Sequence, residues 1–242
     1  MSDSTVDIGT EVPYIEHLGD SRQYWRDIIL GVNDGLVSMF LLVAAVVGGG
    51  LNTAQVLLTG VGGAIAGAIS MGVGEYIATK SQEEVFDREM KLEREHLVHH
   101  RPRELAELTD MFVETGLDPA VAAQVVTAYN DDDDAMMKIM MALEFGVIDQ
   151  ERRNPWVAML VSGGLFLAGS LPSVLPFVFE VTPSAGLTIA AILASVALFL
   201  VGALKTMATR GSWWRSGSEN LLLGGLGAIV SYLVGTWYGA NA

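Results

Sequence analysis

A membrane-spanning helix is predicted by the stretch Ile28–Gly48, which reads IILGVNDGLVSMFLLVAAVVG. Its apolar length matches the ~20 residues that a helix needs to cross the hydrocarbon core of a bilayer. One carboxylate, Asp34, interrupts the run about a turn and a half from its start. An ionised group at membrane depth is costly. It therefore marks an ion or proton path, unless hydrogen bonds from an adjacent broken helix satisfy it.

Four more apolar runs follow, so the sequence predicts an all-α, multi-pass membrane protein with five transmembrane helices. These runs are Gln55–Thr79, Trp156–Phe179, Ala185–Met207 and Asn220–Gly239. Only 17% of the residues are charged, against about 25% in soluble proteins. Pro172 and Pro176 predict a kink or break in the third span.

Composition excludes several classes of function. The 242 residues include no cysteine, which excludes disulfides, thiolate metal sites and cysteine nucleophiles. The formal net charge of −14 argues against binding to nucleic acid, which requires a basic surface. Residues 1–26 are polar and acidic, unlike a cleavable signal peptide, so we expect them to form a cytosolic N-terminal segment.

Lysine and arginine occur before the first span, between the second and third spans, and around the link between the fourth and fifth. Basic residues mark cytosolic loops, so the N-terminus is predicted to be cytosolic and the C-terminus non-cytosolic. Residues 27–79 then carry transmembrane helices 1 and 2, residues 80–154 form a cytosolic helical domain, and residues 155–242 carry helices 3–5. This pattern suits a cell membrane and a vacuolar membrane equally.

The sequence of the cytosolic domain predicts four helices. The second span is expected to continue to His100, and three shorter helices are expected at Pro102–Gly116, Pro119–Asn130 and Ala135–Ile148. The run Asp131–Asp134 is placed to cap the last of them rather than to bind metal.

Carboxylate, imidazole and thioether groups recur at helical spacing in this domain. Carboxylates on one helix face repel each other, which costs free energy unless a cation is present. Carboxylate with imidazole suits Fe(II), Mn(II), Co(II) or Zn(II), and thioether adds soft character. The alternative is a set of solvated helix faces around a methionine core. The residues concerned are Glu93, His96, Glu104, Glu107, Met140 and Glu144.

Three residues accompany Asp34 in or near the membrane. Asp27 lies seven residues earlier on the same face of the first span, and Met71 and Glu75 share a face of the second. Met71 beside Asp34 can line a path for a divalent cation. Asp27 and Glu75 lie near the interface, where a charge is tolerated, so ion binding and a structural role stay equally open for both.

Four stretches resemble the vacuolar iron transporter family. They are RDIILGVNDGL (Arg26–Leu36), AGAISMGVGEY (Ala66–Tyr76), MMALE (Met140–Glu144) and LFLVGALK (Leu198–Lys205). The resemblance covers the chain from about Tyr24 onward. It implies a homodimer with its pore between the two copies of span one, and ferrous iron leaving the cytosol in exchange for protons. It also implies a metal-collecting cytosolic domain, no catalytic cofactor and no enzymatic activity.

The resemblance further implies roles for individual residues. Asp34 and Met71 match pore residues, and Asp27 matches a carboxylate at the cytosolic end. His96 falls at a position of the cytosolic metal site where the family usually has glutamate, which makes the site less negative and more sensitive to acid. Gly63 stands where some members carry a pore carboxylate, and Glu75 is the expected substitute. The cytosolic ligands matched by the resemblance are Glu93, Glu104, Glu107, Met140 and Glu144.

Three other functions stay open at this point. The cargo of the same mechanism can be manganese, cobalt or zinc, because ligand type does not separate these metals. Glu93-Arg-Glu-His96 also matches the E-x-x-H motif of di-iron enzymes. Those enzymes need a second such motif on another helix, and the other histidines do not supply one. A metal sensor or scaffold without transport is the third.

Overall fold

The computed structural model describes residues 21–144, 153–209 and 211–241. Within these ranges all regular structure is helical, which confirms the predicted fold class. The helices are α1 (Ser21–Gly48), α2 (Thr53–His99), α3 (Arg101–Glu114), α4 (Pro119–Tyr129), α5 (Asp133–Glu144), α6 (Pro155–Val174), α7 (Pro183–Thr209) and α8 (Trp213–Asn241). A 3-10 turn at Leu175–Phe179 follows α6. The predicted end of the last cytosolic helix, Ile148, lies outside the described residues.

Five of the described helices are long and apolar enough to cross a membrane, as the sequence predicts. The second of them, α2, contains 47 residues. At 1.5 Å per residue it measures about 70 Å, against about 30 Å for a hydrocarbon core. The whole of α2 is therefore too long to lie within the bilayer, and its charged C-terminal half is too polar to lie there. The fifth span begins at Trp213, earlier than the predicted Asn220.

The third span changes its helical form at its two prolines. Pro172 lies inside α6, and the α-helix gives way to the 3-10 turn at Leu175, with Pro176 in its first positions. Proline lacks the N–H that an α-helix needs for its hydrogen bonds, which explains why regular α-helix ends here. The turn ends at Glu180, whose φ of 55° lies in the left-handed region.

The chain divides into two compact units, and residues 1–71 and 161–242 make up the first. Within its described part, α1 carries several deeply buried side chains, including Leu36, Met39 and Val43, all at most 2% exposed. Ala44 of α1 packs with Ala194 of α7 and Ala228 of α8. The first span is thus packed against other spans along its length.

Small residues let α1 and α8 approach closely. A Cβ atom at Gly235 would collide with the carbonyl oxygen of Ala45, and one at Gly239 would lie 2.6 Å from the carbonyl oxygen of Gly49. Such contacts are typical of helix pairs in membranes, where close backbone packing replaces the hydrophobic driving force.

Residues 72–160 make up the second unit. Its core is rich in methionine and joins the end of α2 to α3, α4 and α5. Arg101 at the start of α3 fixes the α4–α5 turn, because its Nη1 lies 2.7 Å from the Asp133 carboxylate and its Nε donates to the Asn130 side chain. The N–H groups of Ala120 and Ala135 donate to the carboxylates of Asp118 and Asp132, respectively. The Asp131–Asp134 run therefore contributes a helix cap, as expected.

Candidate metal sites

A cluster of three potential metal ligands forms where α2 meets α3 in the second unit. Glu93 and His96 lie one turn apart near the end of α2, and Glu104 lies in the first turns of α3. One ligand atom from each residue lies within 4.8 Å of the other two. Ligands on opposite sides of one transition metal lie about 4 Å apart, so small rotations of the side chains suffice to bind an ion.

Both carboxylates of this cluster are buried. Glu93 is 7% exposed and Glu104 is 3% exposed. Nδ1 of His96 lies 3.4 Å from Oε1 of Glu104. Oε1 of Glu93 is buried and accepts no hydrogen bond from the described residues. A buried carboxylate oxygen without a donor is costly, and a bound cation would remove that cost.

The electrostatics of the cluster also favour a cation. Burial, together with the nearby carboxylates of Glu104, Glu144 and Glu107, raises the pKa of Glu93 to about 7. Partial burial also raises the pKa of Glu144, with Glu107, Glu104 and Glu89 adding to the rise. Without a metal, the proton is thus the cation that this site can hold, and a divalent ion would compete with it.

The remaining predicted ligands of the domain lie around the cluster in different settings. Glu107 and Glu144 are exposed, and they act on Glu93 through their charges. Met140 is 1% exposed and belongs to the methionine core, one turn before Glu144. The alternative interpretation, solvated helix faces around a methionine core, therefore fits Glu107, Glu144 and Met140. It does not fit the buried carboxylates of Glu93 and Glu104.

A groove of about 470 Å³ lies in the first unit, beside the spans formed by α1, α2 and α6. It brings together Asp34 and Met71, the two residues that the sequence singled out for a membrane path. Gly63, where the resemblance implies a carboxylate in some relatives, lines the same groove. The other lining residues are Ser38, Met39, Leu42, Gly67, Ser70 and Phe166.

The Asp34 carboxylate is exposed rather than locked into the helix packing. The Ser38 hydroxyl, one turn along α1, donates a hydrogen bond of 3.1 Å to its Oδ1. Among the described residues this is the hydrogen bond that Asp34 accepts, and it leaves the second carboxylate oxygen open to another ligand. The alternative, a carboxylate satisfied by the backbone of a broken helix, does not fit this arrangement.

The two carboxylates expected at the cytosolic mouth have different surroundings. Asp27 is half-buried in the first turns of α1 and interacts with neighbouring groups. Glu75 is paired with Arg153, whose Nη1 lies 3.7 Å from Oε1 of Glu75. Glu75 therefore already has a cationic partner. If it substitutes for an acid at position 63, an incoming metal ion must compete with Arg153 for its carboxylate.

Sequence reasoning missed three of these neighbours. Ser38 lies four residues after Asp34, so helical spacing could have identified it as a hydrogen-bond partner. Met39 is a second thioether at the groove, but its place in an apolar run makes it indistinguishable from a core residue. Arg153 is far from Glu75 in sequence, and no local pattern indicates that pair.

The chain is similar to known proteins over most of its length. The sequence profile of the VIT family matches residues 25–236. The chain is 32% identical over 210 residues to vacuolar iron transporter 2 of Oryza sativa subsp. japonica, covering 86% of this chain and 84% of that protein. It is 29% identical over 207 residues to vacuolar iron transporter 1 of Eucalyptus grandis, covering 86% and 83%. Protein CCC1 of Saccharomyces cerevisiae is 27% identical over 217 residues, covering 85% and 66%.

Proposed function

Because the chain belongs to the VIT family, we propose that it exports ferrous iron from the cytosol in exchange for protons. The chain is a membrane transporter and not an enzyme. Iron is the cargo named for its relatives, and the carboxylate, imidazole and thioether groups of both candidate sites suit Fe(II). No catalytic cofactor is required for this activity.

The exposed Asp34 carboxylate in a membrane span is the observation that carries the proposal. An ionised group at this depth is costly without a counter-charge. Asp34 lines the same groove as the Met71 thioether, and one of its carboxylate oxygens is open to a ligand. A divalent cation bound there and a proton bound there are alternatives, because both use the same carboxylate lone pairs. Such competition couples the movement of metal in one direction to that of protons in the other.

A homodimer would complete this site. Asp34 is exposed in the single protomer although it lies within a span, so a second copy of α1 placed against the groove would enclose it. Two facing Asp34 carboxylates would repel each other unless a proton or a metal ion lay between them. We therefore place the pore between two copies of the first span.

The cytosolic helical domain is proposed to collect the metal. The buried pair of Glu93 and Glu104, with His96 beside them, forms a site of high negative charge when deprotonated. Glu107 and Glu144 add carboxylates around it, and Met140 is a further proposed ligand. Asp27 and Glu75 are proposed to receive the ion at the mouth of the pore. We propose that this domain is cytosolic and that the C-terminus lies on the opposite side of a vacuolar or cell membrane, because basic residues mark the cytosolic links.

The test is metal uptake into proteoliposomes under an imposed pH gradient, with an indicator for metal and one for internal pH. We expect the wild-type chain to move Fe(II) with an opposing flux of protons, and Asp34→Asn to lose both by at least about tenfold. Glu180→Gln, which removes an exposed acid outside the groove, serves as the control. Faster transport of Mn(II), Co(II) or Zn(II) than of Fe(II) would reassign the cargo, and normal coupled flux in Asp34→Asn would contradict the proposed path.

A further inference from the structure

A second cavity in the first unit has no role in the proposed metal path. It has a volume of about 190 Å³ and lies between α1, α7 and α8. Its α1 residues, Ile29 and Asn33, project from a different side of the helix than Asp34 and Leu42, which line the groove. The cavity therefore offers a binding site separate from the Asp34 groove.

Polar side chains from three helices line this cavity. They are Asn33 of α1, Lys205 of α7, and Ser216, Glu219 and Asn220 of α8. The Asn220 side-chain amide donates two hydrogen bonds of 2.8 Å, to the Asn33 side chain and to the Leu198 carbonyl oxygen. These bonds join α8 to both of its neighbours, so they hold the walls of the cavity in place.

The cavity contains one cation and one anion that are not paired with each other. Lys205 and Glu219 both line it, and no ion pair joins them among the ion pairs of the described residues. A ligand with a single charge would be attracted by one of these groups and repelled by the other. A zwitterion satisfies both, with its anionic group on Lys205 and its cationic group on Glu219.

The position of the cavity identifies a source for such a ligand. It lies at the ends of α1, α7 and α8 that basic residues mark as cytosolic. Trp213 and Trp214 begin α8 and pack with Phe199, with ring centroids 5.5–6.0 Å apart. Tryptophan is enriched where a helix crosses the headgroup region, so the cavity lies at the depth of lipid headgroups and the glycerol backbone.

The lining is also amphipathic, as a lipid site requires. Ile29, Val201 and Leu223 contribute apolar surface beside the polar groups. The volume has room for several water molecules, which is more than a single bare ion needs. Apolar walls next to two unpaired opposite charges suit a headgroup that remains attached to its acyl chains.

From this combination we infer a binding site for a zwitterionic phospholipid of the phosphatidylethanolamine class in the cytosolic leaflet. Its phosphate contacts Lys205 and the Ser216 hydroxyl, and its ammonium contacts Glu219. This inference rests on the unpaired charges and on the orientation of the spans, and it is independent of which metal the protein carries.

Lipid binding to the full-length chain tests the inference. The purified, delipidated protein is titrated with dioctanoyl phosphatidylethanolamine, dioctanoyl phosphatidylglycerol and free phosphoethanolamine. Binding is counted by native mass spectrometry and checked by the rise in melting temperature. We expect phosphatidylethanolamine to bind about tenfold more tightly than phosphatidylglycerol, because only the former supplies a cation for Glu219.

Single variants separate the two charges. Glu219→Gln should remove the preference for phosphatidylethanolamine while phosphatidylglycerol still binds, and Lys205→Gln should weaken both lipids by about tenfold. Arg215→Gln is the control, because this basic residue near the start of α8 does not line the cavity. An unchanged preference in Glu219→Gln, or an equal loss in Arg215→Gln, would overturn the inference. Equal affinity for free phosphoethanolamine would overturn its assignment to a lipid.

Discussion

Arg153 forms an ion pair with Glu75, with 3.7 Å between Nη1 of the guanidinium and Oε1 of the carboxylate. The side chains are 25% and 28% exposed, so the pair is only partly screened by solvent. The rings of Tyr76 and Trp156 pack at a tilt of 53° with centroids 4.8 Å apart, which joins the same two segments. A metal ion that reaches Glu75 must therefore compete with a cation that the protein itself supplies.

Replacing Arg153 should make Glu75 a better cation ligand. We expect Arg153→Gln to lower the KM for Fe(II) in proteoliposomes by up to about fivefold, since partly exposed pairs contribute about 0.2–1 kcal/mol. The matched control is Lys80→Gln, because Lys80 lies 3.7 Å from Glu84 in an exposed pair on α2. An unchanged KM in Arg153→Gln would show that Glu75 does not receive the metal, and an equal fall in both variants would indicate a general charge effect.

The raised pKa of Glu93 predicts how stability depends on pH in the absence of metal. The folded chain holds a proton on Glu93 up to about pH 7, whereas the unfolded chain releases it near the ordinary value of 4.5. Between these values the folded state binds more protons, so its stability falls as the pH rises through this window. Glu144, whose pKa is also raised, acts in the same direction.

Melting temperatures of the full chain in a chelator, from about pH 5 to about pH 8, check this dependence. Glu93→Gln is neutral at every pH, so this variant should gain stability relative to the wild type as the pH increases. If the melting temperatures of the wild type and of Glu93→Gln changed in parallel with pH, the pKa of Glu93 would not be raised in the folded chain. Glu84→Gln, an exposed carboxylate on the same helix, should follow the wild-type curve.

Removing the charge of Glu104 should weaken metal binding to the cytosolic domain. Glu104 is 3% exposed and lies within ligand distance of Glu93 and His96, so its carboxylate is placed to bind a cation together with these two side chains. We expect Glu104→Gln to weaken Fe(II) binding to the full chain by at least about tenfold, measured by anaerobic calorimetry. Glu95→Gln removes an exposed carboxylate from the same turn of α2 and should leave the affinity unchanged. Equal affinity in Glu104→Gln would remove the three-residue cluster as the collecting site.

Much of this architecture is predictable because its signals are local. The five spans follow from apolar length, and the caps at Asp118 and Asp132 follow from residue type and position. Helical spacing places Glu93 and His96 on one face. Helical spacing does not predict that α3 brings Glu104 against these two residues, because the position of α3 depends on the packing of the methionine core.

The same limit applies to Met140 and Arg153. Spacing groups Met140 with Glu144, but spacing alone cannot separate a thioether ligand from a core side chain, and Met140 is 1% exposed within the core. Arg153 meets Glu75 only through tertiary contact between distant segments. Pair contacts of this kind are fixed by packing and not by periodicity.

The thioether of Met71 should determine which divalent metal moves fastest. Met71 lines the groove with Asp34 and is half-buried. Met71→Leu keeps a similar volume but removes the sulfur, which leaves a harder, oxygen-dominated site. We expect the flux of Fe(II) to fall by severalfold relative to that of Mn(II), because Mn(II) depends less on soft ligands. The measurement is the ratio of the two fluxes in proteoliposomes at equal metal concentration. Met39→Leu is the matched comparison, since Met39 lines the same groove but is 2% exposed. A ratio that falls in Met39→Leu and stays constant in Met71→Leu would assign the sulfur ligand to α1 instead of α2.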